Sequence, residues 1–433
     1  MELERAPRRT VWLVPLLAVL CVAGYVFVYA TGRAGPPIRS DGFSYYVYLP
    51  SWFIYGDLSL GSVARDCCGG EFPDFTAIIR WPGTGRWVDA HPIGVAIMQL
   101  PFFLAAHALT RWTNLSPDGF TLYYQHGVGL AGLTWTVAGL LVLGQLLRRH
   151  FSEAITAWTL VALLFGTNLY HYATYDPSYS HPYSFFLVAA LLDLTERWYA
   201  SPRIGPSVLL GIVAGLIVLT RHTNVIVLAF VPLYGTTLRP LRDSLALLYG
   251  LRWRLALTAV TACAVVAPQL AIYYLATGRP IVSSYGALGF DFASPHLAGV
   301  LVSVQKGLFF WSPLLILAVA GLPMLRGRLR GFLLPAVIVA ALDTWIIASW
   351  WDWQFGGSYG HRGFIDLYPV LALGLASFFA WAAGQQGRRR AAATIVTLAV
   401  ALSIVQMLQY WNGVLPISDT TWAQYRAAFL RFR

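Results

Sequence analysis

Apolar segments of about twenty residues alternate with short polar stretches along almost the whole chain. A helix that crosses a bilayer needs about 20 predominantly apolar residues, so each segment predicts a transmembrane helix. The pattern as a whole predicts an all-α polytopic membrane protein with about 11 transmembrane helices. The candidate segments are 11–30, 122–147, 153–171, 181–199, 204–220, 222–238, 254–276, 307–325, 331–350, 364–384 and 391–411.

A further apolar run, 92–112, decides on which side of the membrane every later loop lies. If it stays on the outer side as an interfacial or re-entrant helix, the basic clusters of the chain fall in cytoplasmic loops. If it crosses, those clusters become external. Cytoplasmic loops are enriched in Lys and Arg, so we favour the first arrangement. The clusters are Arg148-Arg149, Arg203, Arg239/Arg242/Arg252/Arg254, Arg326/Arg328/Arg330 and Arg388-Arg389-Arg390.

This topology predicts a single transmembrane domain, 1–433, with a cytoplasmic N-terminus. The largest polar region is then the first extracytoplasmic loop, 31–121, and the chain ends in an extracytoplasmic tail, 412–433. Within the first loop, segment 43–56 has apolar and aromatic residues at helical spacing, which suits helices lying in the membrane interface. Outer loops that are long, aromatic and acidic place the chemistry outside the cell.

Composition supports a membrane protein and excludes a typical soluble domain. Of 433 residues, 57% are hydrophobic and only 11% are charged, and the mean hydropathy is +0.60. Soluble domains carry about 25% charged residues. The net charge of +11 does not indicate a nucleic-acid partner, because the Arg residues fall in short clusters between apolar runs.

Acidic and imidazole side chains in the outer loops are the first candidates for chemistry. Asp41 follows the first apolar segment directly, and Asp176 and His181 flank Pro177. An Asp followed by Gly is common in turns, and Asp176 before a helix is typical of an N-terminal cap. Alternatively, Asp41, Asp176 and His181 form a divalent-cation site, because carboxylate and imidazole are suitable ligands.

Three cations lie in outer loops, against the overall distribution of charge. Arg221, Lys306 and Arg362 stand there, and His361 adjoins Arg362. Basic residues at a membrane surface often extend to lipid phosphates, whereas Arg and Lys together also suit a bound phosphate group. Aromatic residues near these groups are candidates for stacking on sugar rings: Tyr45, Tyr46 and Trp351.

Two adjacent cysteines occur in the first loop. Cys67 and Cys68 are consecutive in the chain, so an ordinary bridge between them is strained. Free thiols and a vicinal disulfide both remain open at this point.

The layout of the chain resembles that of the GT-C glycosyltransferases, which include the protein O-mannosyltransferases and the lipid A aminoarabinose transferases. The resemblance lies in Asp41 just after the first transmembrane segment, interfacial helices in a large first loop, and His91-Pro92-Ile93-Gly94 before the second crossing. Leu219-Thr220-Arg221 and the Gly-rich turn before Arg362 are also similar to bacterial members. The large soluble C-terminal domain of the family is absent, as in its smaller members.

The resemblance implies a membrane glycosyltransferase that uses a polyprenyl-phosphate sugar donor, with Asp41 as general base. Members often have two adjacent acids, but Gly42 follows Asp41 here, so Asp176 is predicted to supply the second acid. Base catalysis at the acceptor and cations at the departing phosphate suit such a transfer. Direct displacement would invert the anomeric centre.

The expected location is the bacterial plasma membrane, among membrane lipids, with the active site on the outer face. The expected acceptor is a cell-envelope glycan, lipid or protein. Two alternatives stay open: a ligase or polymerase of polyprenyl-linked glycans, and a lipid or solute transporter without catalysis. A transporter would typically show internal repeats and ionisable groups in mid-membrane, and no repeat is evident.

Overall fold

The computed structural model describes residues 9–74, 76–282 and 288–432, and helices dominate these ranges. The α-helices are α1 (Arg9–Ala30), α2 (Asp41–Tyr46), α3 (Tyr48–Phe53), α4 (Gly61–Cys68), α5 (Gly94–Arg111), α6 (Leu122–Arg148), α7 (Glu153–Phe165), α8 (Leu169–Thr174), α9 (Ser180–Ala200), α10 (Ile204–Thr220), α11 (Phe230–Leu233), α12 (Leu241–Gly250), α13 (Arg252–Thr277), α14 (Leu297–Val302), α15 (Leu308–Trp311), α16 (Leu314–Gly321), α17 (Leu333–Ser349), α18 (Tyr368–Ala383), α19 (Gln386–Trp411) and α20 (Trp422–Ala428). Four 3₁₀ helices complete the helical part: His222–Ala229, Leu322–Met324, Gly327–Phe332 and Arg362–Leu367.

Six helical segments in these ranges are long and apolar enough to cross a membrane. They are Trp12–Ala30, Leu122–Arg148, Arg252–Thr277, Gly327–Ser349, Arg362–Ala383 and Gln386–Trp411. Four shorter apolar helices, of 10 to 17 residues, add to them: Glu153–Phe165, Ile204–Thr220, His222–Leu233 and Leu314–Met324. The chain is therefore an all-α membrane protein, as predicted, while the number of crossings stays a prediction.

Several of the predicted spans are interrupted helices; the segment 153–171, for example, divides between α7 and α8. The segment 222–238 consists of a 3₁₀ helix, His222–Ala229, followed by the single turn of α11. The segment 307–325 divides into α15, α16 and a 3₁₀ turn, with Pro313 at the break between α15 and α16. Proline has no backbone N–H and fixes φ, which favours such a break. The run 92–112, predicted to stay at the interface, forms α5 and is not among the six candidate spans.

The first loop contains short helices, as predicted, and also a β-hairpin that the sequence pattern did not indicate. β1 (Ile78–Arg80) pairs antiparallel with β2 (Trp87–Asp89), with Ile79 opposite Val88. The aromatic face of α2 and α3 is mostly buried against this hairpin and α5. Tyr46 and Tyr48 therefore belong to a second hydrophobic cluster, separate from the main core. The loop is therefore a packed cap with its own hydrophobic cluster.

Pairs of helices pack around a main core. α6 packs along α9, α10 along α13, and α16 along the almost completely buried α18. Close approach of α5 to α10 depends on Gly94, since a Cβ there would lie 2.4 Å from the backbone of Leu219. This contact brings the residues before α5 next to those after α10, where the candidate site lies.

Candidate functional site

A cavity of about 700 Å³ opens between the first loop, the end of α10, the end of α17 and the segment 350–362. Six of the predicted site residues line it: Asp41, Tyr45, His181, Arg221, Trp351 and Arg362. They come from segments up to 321 residues apart in sequence. Six of the ten residues that the sequence singled out therefore converge on one concavity, which is the usual form of a ligand site.

Asp41 and Arg362 form an ion pair in this cavity. Arg362 Nη1 donates to Asp41 Oδ2 at 2.6 Å, and the Asp41 side chain keeps 26% of its surface exposed. Burial alone would raise the pKa of the Asp41 carboxyl, but the Arg362 guanidinium and nearby imidazoles hold it below its usual value. Asp41 is thus an accessible, ionised carboxylate held by a cation.

Gly42 allows this carboxylate to lie where it does. A Cβ at residue 42 would lie 1.9 Å from Ser178 Oγ, so the start of α2 packs directly against the segment before α9. Many members of the family that the chain resembles have a second acid at this position. Such a side chain would not fit here without movement of Ser178. The packing explains in physical terms why glycine follows Asp41.

A second ion pair lies beside the first. Arg221 Nη1 donates to Asp366 Oδ2 at 3.0 Å, and Asn224 Nδ2 donates to the same oxygen at 3.0 Å. His181 Nδ1 lies 3.6 Å from the other oxygen, Asp366 Oδ1. Asp366 was not predicted, because it stands inside a run that reads as a membrane span. Its only sequence signal is an acid near the start of an apolar segment.

The two arginines share an aromatic neighbour. The guanidinium carbons of Arg221 and Arg362 lie 5.5 Å and 5.7 Å from the centroid of the Phe355 ring, and Arg362 also lies 4.9 Å from the Tyr179 ring. A cation near an aromatic face is attracted to it, so Phe355 helps to keep both guanidinium groups in the same part of the cavity. This arrangement suits binding of one dianionic or multidentate oxyanion.

Asp176 does not line the cavity but belongs to a buried chain of polar contacts behind it. Trp411 Nε1 donates to His171 Nδ1 at 2.9 Å, and His171 Nε2 lies 3.0 Å from Asp176 Oδ2. Arg39 Nη2 donates to Asp176 Oδ1 at 2.7 Å. Although burial opposes ionisation, Arg39 and His171 hold the pKa of the Asp176 carboxyl well below its usual range. Both carboxylate oxygens therefore have partners already.

This chain of contacts ends next to Asp41. Arg39 precedes Ser40, whose φ of 48° and ψ of −133° lie in a region that residues with a side chain rarely adopt. Such a conformation costs on the order of 1–3 kcal/mol and persists only where the surroundings enforce it. Asp176, by holding Arg39, contributes to the backbone geometry that presents Asp41.

Replacing Asp176 with Asn is expected to destabilise the protein. The change leaves Arg39 without its carboxylate; breaking a buried ion pair costs about 3–5 kcal/mol, and the partial exposure of Arg39 reduces this to roughly 2 kcal/mol. Thermal unfolding in detergent should show a fall of several degrees. Asp243→Asn, at an exposed carboxylate on α12, should leave unfolding unchanged. An unaltered midpoint for Asp176→Asn would contradict this role.

Three further predicted site residues also lie outside the cavity lining: Lys306, His361 and Tyr46. Lys306 Nζ donates to the carbonyl oxygens of Ser358 and, at 3.0 Å, of Ile417, and burial followed by the charge of Arg362 lowers its pKa to about 7. His361 Nε2 donates to Trp353 O at 2.9 Å, and burial lowers the pKa of its imidazole to about 3.

Lys306 and His361 contact backbone carbonyl oxygens, so we regard them as positioning residues. With its pKa near 3, His361 is neutral at physiological pH, so it lacks the charge that phosphate binding was predicted to use. The fully buried Tyr46 donates its hydroxyl to Gly119 O and does not face the cavity. Of the three aromatic residues predicted to stack on a sugar, Tyr45 and Trp351 line the cavity and Tyr46 does not.

The metal site suggested by the sequence does not assemble. Within residues 9–74, 76–282 and 288–432, no group of three or more His, Cys, Asp or Glu side chains is arranged to hold a metal ion. The two oxygens of Asp176 bind Arg39 and His171, and His181 faces Asp366. The set of Asp41, Asp176 and His181 thus does not fit a shared cation.

Several cavity residues were not singled out from the sequence as parts of the site. Asp74, Asp343 and Asp352 add carboxylates to the lining, and His91 and His222 add imidazoles. His91 follows Asp89, whose buried carboxylate lies on β2. The sequence showed an acid and a histidine two residues apart, but nothing in the spacing indicated that they face the same cavity as Asp41.

Cys67 and Cys68 form a vicinal disulfide at the end of α4. Of the two alternatives that the sequence left open, the structure thus has the bonded form.

Comparison with known proteins supports a fold relationship. No family model and no curated protein sequence matches the chain. Among solved structures, the apo oligosaccharyltransferase of Archaeoglobus fulgidus matches with a TM-score of 0.55 and 12% sequence identity. The match covers 93% of this chain and 56% of that chain, so the protein spans little more than half the length of that enzyme. At this identity the likeness concerns the fold alone, and it shows that the chain has the fold of that oligosaccharyltransferase, a GT-C enzyme, as the resemblance predicted.

Proposed function

We propose that the protein is a GT-C-type glycosyltransferase that moves a sugar from a polyprenyl-phosphate donor to a cell-envelope acceptor. The observation that carries the proposal is the cavity in which Asp41 pairs with Arg362 beside the pair of Arg221 and Asp366. It unites an accessible carboxylate with two guanidinium groups. The fold of an oligosaccharyltransferase is independent support.

The donor phosphate would bind at the two arginines. Arg362 already offers a guanidinium nitrogen to a carboxylate, and a phosphate oxygen can take the same hydrogen bond. Binding of the phosphate at Arg362 would loosen its hold on Asp41. Negative charge grows on the phosphate as the bond to the sugar breaks, and fixed cations in a water-poor cavity stabilise that charge.

Asp41 would then serve as the general base for the acceptor. Its carboxylate accepts the hydroxyl proton while the acceptor oxygen attacks the anomeric carbon from the face opposite the phosphate. Such a displacement inverts the anomeric centre. Tyr45 and Trp351, which line the same cavity, offer ring faces for the sugar.

The active site would lie on the outer face of the bacterial plasma membrane, where a lipid-linked donor presents its phosphate at headgroup level. The Arg clusters support a cytoplasmic position for the loops on the other side of the membrane from this site. The disulfide between Cys67 and Cys68 lies in the first loop, and such bonds persist in oxidising compartments.

Transfer of labelled sugar tests the proposal. Purified protein in lipid nanodiscs should release polyprenyl phosphate from labelled polyprenyl-phosphate mannose or glucose when envelope glycan, lipid or peptide acceptors are added, and the product should carry the inverted anomeric linkage. Polyprenol without phosphate is the matched control and should bind at least tenfold more weakly, a loss of about 1.4 kcal/mol. Protein that binds neither polyprenyl phosphate nor its sugar conjugates would contradict the whole class.

A further inference from the structure

Asp89 and His91 form a pair at the wall of the cavity. His91 lines the cavity, and its Nδ1 lies 3.5 Å from Asp89 Oδ1, which also accepts the His91 backbone N–H at 2.8 Å. Asp89 is 2% exposed, and its second oxygen, Oδ2, has no hydrogen-bond partner among the residues that the structure describes. A buried carboxylate that is so sparsely satisfied is costly, and a charge on the adjacent imidazole would offset that cost.

Contacts with the first loop fix the orientation of His91. The ring of Tyr45 packs against it edge to face, with centroids 4.4 Å apart, and Tyr48 donates its hydroxyl to His91 O at 2.9 Å. The charge of His91 is also close enough to Asp41 to lower the pKa of that carboxyl. The ionisable and charged groups that face His91 from neighbouring elements are Asp41, Tyr45, Tyr48, Asp89 and His222.

The Asp41 carboxylate does not readily retain a proton. Its pair with Arg362 favours the ionised form, so a proton taken from an acceptor hydroxyl must move on. Proton transfer is most efficient to a group that titrates near the working pH. Histidine is the side chain whose ordinary titration falls there.

We propose that His91, oriented by Asp89, is a second proton-accepting residue of the cavity and takes up the proton that the acceptor hydroxyl releases to Asp41. The inference rests on the proposed sugar transfer. The acceptor oxygen forms a bond to the anomeric carbon, and the bond from that carbon to the phosphate oxygen breaks, with its electron pair leaving on the phosphate. The hydroxyl proton passes to Asp41 and then to His91, and Asp89 stabilises the imidazolium.

The pH dependence of transfer gives a signature of this pair. Burial, only partly offset by His91, raises the pKa of the Asp89 carboxyl to about 6. A carboxyl with a raised pKa becomes neutral as the pH falls through that value, and His91 then loses its carboxylate partner. Transfer should therefore decline as the pH falls below about 6.

The test compares pH profiles of kcat and kcat/KM for the wild type, His91→Gln, Asp89→Asn and the control His107→Gln. We expect His91→Gln to lower kcat about 100-fold with unchanged donor affinity and to remove the acid limb near pH 6. Asp89→Asn should lower kcat about tenfold and displace that limb. His107→Gln changes an imidazole of α5 that does not line the cavity, and it should keep the wild-type profile.

Added imidazole provides a readout that a purely structural role would not give. It should restore part of the kcat of a folded His91 variant, preferably His91→Gly, because free imidazole can occupy the vacated space. A His91→Gln variant with the wild-type acid limb, or one whose only change is weaker donor binding or a lower unfolding midpoint, would overturn the proposal. Absence of transfer in the wild type would instead refute the proposed function itself.

Discussion

Replacing Asp41 with Asn should lower kcat by about 10²–10⁴-fold while donor binding persists. General-base catalysis typically contributes this much, and the amide of Asn cannot accept the acceptor proton. Asn has nearly the size of Asp and can still accept a hydrogen bond from Arg362, which now contacts Asp41 at 2.6 Å. Single-turnover transfer from a labelled polyprenyl-phosphate sugar separates the chemical step from binding.

A carboxylate outside the cavity serves as the control for this change. Asp66 is exposed on α4 in the same loop, so Asp66→Asn removes one negative charge from the same face without touching the site. It should keep wild-type kcat. Full activity in Asp41→Asn would exclude Asp41 from the mechanism and leave His91 or another cavity group as the first proton acceptor.

Replacing Arg362 is expected to produce the second large loss, of about 10²–10³-fold in kcat for Arg362→Gln. Removal of one group that stabilises developing negative charge typically costs that much. Arg362→Lys should recover only part of the loss, since an ammonium keeps the charge but not the planar fork of donors. The measurements are kcat, KM for the donor, and affinity for free polyprenyl phosphate.

The role of Arg362 can be separated from its hold on Asp41 by combining the two changes. Asp41 and Arg362 contact each other, so their effects should be strongly non-additive. The double variant Asp41→Asn/Arg362→Gln should be little worse than the weaker single variant. Arg65→Gln, at an exposed residue of α4, is the control for loss of a guanidinium group. Simple additivity of the two losses would contradict a shared step.

The sequence predicted well those features that depend on local composition. Helix positions followed from runs of apolar residues, and Arg221 and Arg362 stood out as cations in segments that the charge bias placed outside. Asp41 was identified because it follows the first span directly. The structure brings these three residues to one cavity, which confirms that they are neighbours and leaves their roles as proposals.

Features that depend on contacts between distant segments could not be predicted. Asp366 pairs with Arg221 across 145 positions, and a single sequence contains no signal for that pair. Lys306 and His361 were expected to face a phosphate because they are polar residues in outer loops, but burial turned them toward backbone carbonyls. The hairpin was missed because each strand has only three residues, too few to establish an alternating pattern.

The buried contacts of Lys306 have a practical consequence for anyone shortening this protein. Ile417 accepts hydrogen bonds from Lys306 Nζ and from the backbone N–H of Ser358, so the stretch after α19 supports the segment that leads to Arg362. Trp411, at the end of α19, anchors the chain of contacts that reaches Arg39. A C-terminal deletion chosen to help crystallisation, or a tag fused close to residue 417, would disturb both supports of the Asp41–Arg362 pair. Engineering is safer at the junction of α18 and α19, where a side chain added at Gly387 meets no neighbouring atom within 4 Å.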